Sequence, residues 1–109
     1  MKKSKYRNVK VKTHEHTFDS KAEYRRYQEL LILQRAGEIN QLELQPKIRC
    51  VIEGQHVFTY IADFAYFDCN KRGLIYEDVK GAVTPIFSLK LKLVKALNPH
   101  ISIVMIKAR

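Results

Sequence analysis

Hydrophobic and polar positions change their period twice along this chain, and each change marks a new kind of element. Residues 9–12 and 16–18 read as a short hairpin turning over residues 13–15. Asp19 and Ser20 then announce a helix. Ser20 and Glu23 stand at capping-box spacing, Tyr24, Tyr27, Leu30 and Leu31 share one face, and the pattern runs to about Ala36, with Gly37 as its stop. The next stretches, 39–44, 48–52, 57–67 and 74–80, are β-rich runs. Pro46 separates the first two, while Glu53-Gly54-Gln55 and residues 69–73 supply the later turns. Helical spacing then returns. Thr84 is a cap, Pro85 a first helical residue, and Ile86, Leu89, Leu93 and Leu97 recur until Asn98-Pro99 stops them. Residues 101–106 read as a last buried strand. Helix, strands, helix and strand describe an α/β fold, a mixed sheet flanked by helices, in a single domain over 1–109 with a flexible basic arm at 1–7.

Composition narrows what such a domain does. The 109 residues allow one modest core, and 46% apolar residues make this a folding chain. No apolar run approaches the length of a membrane span, and no hydrophobic segment follows the basic N-terminus, so an intracellular, cytoplasmic protein is expected. Cys50 and Cys69 match no metal-ligand spacing and are expected to be ordinary reduced thiols. Twenty Lys and Arg against eleven Asp and Glu leave a formal charge of +9. The excess is clustered: Lys2, Lys3, Lys5, Arg7, Lys10 and Lys12 open the chain, and Lys90, Lys92 and Lys95 lie on the second helix. Clustered charge favours a polyanion, nucleic acid above all, over a merely soluble surface.

The candidate chemistry lies where two apolar runs end. Asp63 interrupts Tyr60-Ile61-Ala62 and Phe64-Ala65-Tyr66-Phe67, a setting that suits a metal ligand better than a solvated residue. The run 74–80 closes on Glu77-Asp78-Val79-Lys80. Alternation puts Asp78 and Lys80 on one face and Glu77 on the other, pointing toward a basic surface residue, unless a bulge swaps them. Carboxylates and an ammonium meeting at a sheet end are costly unless something uses the charge. Alone, the Asp78–Lys80 pair could equally be an ion pair within one strand. Glu23 is the third carboxylate. It falls inside the apolar arc of the first helix, where it can serve the capping box, a metal, or both. A divalent ion on Asp63, Asp78 and Glu23, with the Val79 carbonyl as a further ligand and Lys80 beside a water, is suited to phosphodiester hydrolysis.

Other residues carry two readings each. Gln45 reaches the site or stabilises its turn before Pro46. Lys90, inside the apolar arc of the second helix, packs by its stem or contacts a phosphate. His14 and His16, without a third ligand, are a hairpin tip before they are a zinc site. The tyrosines can stack on bases, but Tyr24 and Tyr27 are more simply core residues.

Taken together, Glu23 on a helix, Asp63 after an apolar strand, and Asp78-Val79-Lys80 on the next resemble the PD-(D/E)xK nuclease superfamily. More narrowly, the chain is similar to short phage and prophage proteins related to phage endodeoxyribonuclease I and Holliday-junction resolvases. The likeness rests on Lys5-Tyr6-Arg7-Asn8, Phe18-Asp19-Ser20-Lys21-Ala22-Glu23, Leu42-Glu43-Leu44-Gln45-Pro46, Tyr60-Ile61-Ala62-Asp63-Phe64 and Glu77-Asp78-Val79-Lys80-Gly81. It implies a restriction-endonuclease-like α-β-β-β-α-β core and Mg²⁺- or Mn²⁺-dependent DNA cleavage by Glu23, Asp63, Asp78 and Lys80. Lys3, Lys5, Arg7, Gln45 and Lys90 are the candidate DNA contacts. Two departures stand out: Ala62 replaces the proline of the superfamily's name, and Asp78 shortens the reach of the second acid by one methylene. Cutting two strands, as a resolvase does, implies a homodimer; a monomer implies nicking, flap or single-strand cleavage. The competing functions are a basic DNA-binding module without cleavage and a nuclease subunit of a larger DNA-processing machine.

Overall fold

The computed structural model describes residues 10–13 and 15–108, so Lys3, Lys5, Arg7 and the arm that holds them lie outside the described residues. In chain order the elements are β1 (Val11–Lys12), β2 (Thr17–Phe18), α1 (Lys21–Arg35), β3 (Ile39–Leu44), β4 (Lys47–Ile52), β5 (Gln55–Ile61), β6 (Phe64–Asp68), β7 (Gly73–Lys80), α2 (Pro85–Leu97) and β8 (Ser102–Lys107). The α/β class is as expected. A mixed four-stranded sheet runs in the order β3-β6-β7-β8, antiparallel except for the β7–β8 pair. Parallel neighbours need a crossover, which α2 provides. Along this sheet the order is helix, three strands, helix, strand. The β1–β2 hairpin precedes it, and β4–β5 is a separate two-stranded ribbon.

Local chemistry accounts for the ends of the helices. Ser20 caps α1, its Oγ accepting from the Glu23 amide at 3.1 Å, and Gly37 follows in the left-handed conformation that ends it (φ 81°). Thr84 caps α2 through the Phe87 amide, also at 3.1 Å, with Pro85 in its first turn. The β4–β5 turn has only Glu53 and Gly54 between paired Ile52 and Gln55, and both have positive φ (48° and 80°). Those are the requirements of a type I′ hairpin turn.

Two features differ from the sequence reading. The β-rich run 57–67 is two strands in two sheets. Ala62 donates its amide to the Pro46 carbonyl, closing the ribbon, and the next amide, Asp63, already donates to Glu77 in the main sheet. Both halves have strand character, so periodicity alone cannot register the change of partner. In α2, the stripe Ile86, Leu89, Leu93 and Leu97 is not the one that packs. Phe87, Leu91 and Val94 turn inward, leaving Ile86, Leu89 and Leu97 exposed. The helix is apolar on more than one side, and the surface offered by Tyr60, Cys50 and Ile103 selects which side is covered.

Those contacts divide the core by the faces of the sheet. Phe18, Leu30, Ile39, Phe64, Tyr66 and Ile75 form the α1 side, with Tyr24 and Tyr27 packed against them as expected. Cys50, Tyr60, Ala62, Val94 and Ile103 form the α2 side under the β4–β5 ribbon. Fully burying a side chain such as Phe64 contributes about 1.5–3 kcal/mol. No helix among the described residues is long and apolar enough to cross a membrane.

Candidate active site

The change of sheets at Ala62–Asp63 positions the first acid. Asp63 donates its amide to the Glu77 carbonyl at 3.0 Å, and its own carbonyl accepts from the Gln45 amide at 3.0 Å. Its Oδ2 accepts from the Val79 amide at 2.7 Å. The Asp63 carboxylate is thereby held against the last residues of β7. From the other direction, the first turn of α1 brings in Glu23, only 4% exposed. Its amide satisfies the Ser20 cap, while its carboxyl lies near enough to that of Asp63 for each to shift the other. The cap bond is made by the Glu23 backbone amide, which leaves its carboxyl on the inner side of α1, towards Asp63.

This juxtaposition is electrostatically uncomfortable. Burial first, then the charges of Asp63 and Asp19, push the Glu23 carboxyl up to about 7, with the Asp19 backbone acting in the opposite sense. Burial also raises Asp63, against the Val79 amide and the positive charge of Lys80. Both carboxyls are therefore raised chiefly by burial, and the charge of Asp63 raises Glu23 further.

Asp78 and Lys80 stand on the next strand. Asp78 is 1% exposed, and its Oδ2 accepts from the Tyr60 hydroxyl. Burial raises its carboxyl to about 6, while Lys80 and the Asp63 backbone pull it down. The Lys80 ammonium lies 4.5 Å above the Phe87 ring centroid. Its charge favours the ionised forms of both Asp63 and Asp78, which ties the two aspartates to one neighbourhood.

Glu77 occupies the opposite face of β7. Arg26 donates from Nε and Nη2 to its two oxygens at 2.8 and 2.7 Å, and Tyr66 donates its hydroxyl. The expectation that Glu77 points away is met, but toward a partly buried arginine of α1 and not a surface one. The register of β7 runs without a bulge against both neighbours, so Asp78, and not Glu77, shares the side of Lys80.

The remaining candidates divide. Gln45 is exposed with a positive φ of 51°, and its amide contact puts it beside Asp63. Val79 contributes its amide to Asp63 and packs its side chain on the α1 face. Lys90 has its ammonium 5.7 Å over the Phe58 ring, at the contact between α2 and the ribbon. The Thr13 hydroxyl bonds to the His16 backbone across the hairpin tip, and the His16 ring meets Phe18 and Tyr27 edge-on; His14 lies outside the described residues. Cys50 and Cys69 are free thiols. Sequence reasoning passed over three participants. Asp19 looked only like a helix entrance, Tyr60 like a strand aromatic, and Arg26 like any helical arginine; no spacing distinguishes them.

Among the described residues, no three His, Cys, Asp or Glu side chains are gathered as a group able to hold a metal ion. Glu23 and Asp63 meet as a pair, while Asp78 is engaged by Tyr60. That donor set still fits Mg²⁺, which takes one or two carboxylates and completes its shell with waters and phosphate oxygens. Two neighbouring carboxyls, both raised by burial, are also what a hard cation relieves. A family model described as a protein of unknown function (DUF1064) matches residues 3–108. No curated protein and no solved structure matches.

Proposed function

The chain belongs to the DUF1064 family, and we propose that it is a divalent-metal-dependent endodeoxyribonuclease of the PD-(D/E)xK type. The observation that carries this reading is the contact between the Glu23 and Asp63 carboxyls at the end of a strand bearing Asp78 and Lys80. A purely structural role would favour a cation partner for such a pair, as Glu77 has in Arg26.

When bound, Mg²⁺ or Mn²⁺ supplies Lewis-acid polarisation of a phosphoryl oxygen and acidifies water near neutral pH. Glu23 and Asp63 hold the ion, and the Val79 amide keeps Asp63 in one orientation. Asp78 adds a carboxylate from the adjacent strand, and the Val79 carbonyl is the remaining candidate ligand. Lys80 orients the attacking water and offsets the charge that develops on the phosphate. The overall charge of +9 draws in the polyanionic substrate. The resemblance to resolvases makes branched DNA a substrate to test. Cutting both strands calls for two copies of the chain.

The test is a gel of linear, single-stranded, flapped and four-way-junction DNA incubated with Mg²⁺, Mn²⁺ or EDTA, beside Lys80→Ala. The expected result is cleavage that needs the metal and is lost in the variant. DNA binding without cleavage under every condition would overturn the nuclease in favour of a basic binding module.

A further inference from the structure

A cleft of about 150 Å³ opens between α1 and the β7–β8 pair, lined by Ala22, Arg25, Arg26, Glu29, Val79, Ile106 and Lys107. Ala22, Arg25, Arg26 and Glu29 follow the i, i+3, i+4, i+7 spacing of a single helix stripe. Val79 and Ile106 are directly paired across the two strands. The volume is roughly ten times what one water needs, enough for a phosphate group with part of its hydration shell.

The basic groups in this cleft are not equivalent. All three guanidinium nitrogens of Arg26 are engaged, Nε and Nη2 by Glu77 and Nη1 by Glu29. Glu29 is likewise spent on Arg26. Arg25 and Lys107 are exposed and have no acidic partner among the described residues. Two cations therefore remain over in a cleft whose other charges compensate one another.

The position of the cleft is as informative as its charge. Ala22 precedes Glu23, and Val79 lies between Asp78 and Lys80 while its amide holds Asp63. Lys107 pairs with Lys80 across β7 and β8. The cleft thus lies beside the segments of α1 and β7 that carry the candidate site and runs along α1.

We propose that this cleft seats a backbone phosphate of the nucleic-acid strand, neighbouring the one cleaved, with Arg25 and Lys107 as its contacts. Arg26 is a positioning residue there, since its donors are already committed. The identification of the ligand as a nucleic-acid strand rests on the nuclease reading, but the contacts are tested by binding alone.

The experiment measures fluorescence anisotropy of a labelled single strand and of its duplex in EDTA, over a salt series. The proteins are wild type, Arg25→Ala with Lys107→Ala, the charge-keeping Arg25→Lys with Lys107→Arg, and a control pair, Arg35→Ala with Lys71→Ala, that removes the same charge elsewhere. For the alanine pair, the slope of log K against log salt is expected to fall by about 1 per residue, uniformly across DNA sequences. The charge-keeping pair and the control pair are expected to retain most of the wild-type slope. An unchanged slope in the alanine pair overturns the cleft assignment, even if metal-dependent cleavage is observed. An equal fall in the control pair also overturns it, because net charge alone then explains binding. Loss of slope in the alanine pair only supports the cleft even where no cleavage is found, so the two readings fail separately.

Discussion

Glu77 and Asp78 are adjacent residues of one strand, equally buried, yet their surroundings are opposites. Glu77 receives a two-pronged hydrogen bond from Arg26 and a third donor from Tyr66. Asp78 receives one hydroxyl, from Tyr60, and has the Asp63 backbone and the Lys80 charge nearby in place of a cation bonded to it. Arg26 and Tyr66 compensate a buried charge and make the Glu77 side a structural joint between α1 and the sheet. On the Asp78 side Lys80 is the cation whose charge acts on both aspartates, without a bonded ion pair to either among the described residues. Burial alone does not identify a functional carboxylate. What separates the two is whether the protein itself answers the charge.

Breaking the compensated side is expected to have the largest effect on stability. Arg26→Ala leaves Glu77 without a cation and with only the Tyr66 hydroxyl as donor, at a cost of about 3–5 kcal/mol, to be read as a lower urea midpoint. Replacing both partners by apolar residues, Arg26→Met with Glu77→Leu, is expected to recover most of that loss. A double replacement as damaging as the single one would show that the joint carries more than charge compensation.

On the other side, Asp63→Ala is expected to reduce metal-dependent cleavage by about 10²–10³-fold or more, while urea unfolding changes far less than in Arg26→Ala. A variant that unfolds as readily as Arg26→Ala would erase the contrast between the two sides.

Glu23 sharpens the comparison through pH. Its carboxyl is raised from 4.5 to about 7 in the folded protein, so the fold binds that proton more tightly than the unfolded chain does. Its contribution is therefore fully present below pH 4.5 and is lost as pH rises through 7. Glu23→Gln, which keeps the shape without the charge, is expected to remove this dependence and to stabilise the metal-free protein at pH 8 by up to about 3 kcal/mol. Mg²⁺ is expected to raise the melting temperature of wild type at pH 8 and much less at pH 5, where protons compete for the pair. Thermal melts across pH, with and without Mg²⁺, check both. A Glu23→Gln protein with the wild-type pH profile would remove the basis for treating the pair as strained.

The smallest effect is expected at Tyr60. Tyr60→Phe removes the hydroxyl donor to Asp78 and costs about 1–2 kcal/mol, measured by denaturant. The same change frees an Asp78 oxygen, and metal affinity followed by calorimetry is expected to hold or improve. A fall in affinity would mean that Tyr60 orients Asp78 for its role.

Much of this molecule is legible as a linear pattern. Ser20 and Thr84 cap, Gly37 and Gly54 terminate and turn, and the alternation in β7 separates Glu77 from Asp78, because each acts within a few residues and backbone geometry sets the outcome. Other features depended on partners far along the chain. The run through Asp63 divides because its hydrogen-bond partners change from Pro46 to Glu77. The covered side of α2 is chosen by Tyr60 and Ile103, and Arg26 acquires its role only by meeting Glu77. The approach of Glu23 to Asp63 is of the same kind: the sequence places an acid on the inner arc of α1, but only the packing of that helix against the sheet brings the two carboxyls together, since contact between groups forty residues apart is a property of tertiary structure and not of local spacing.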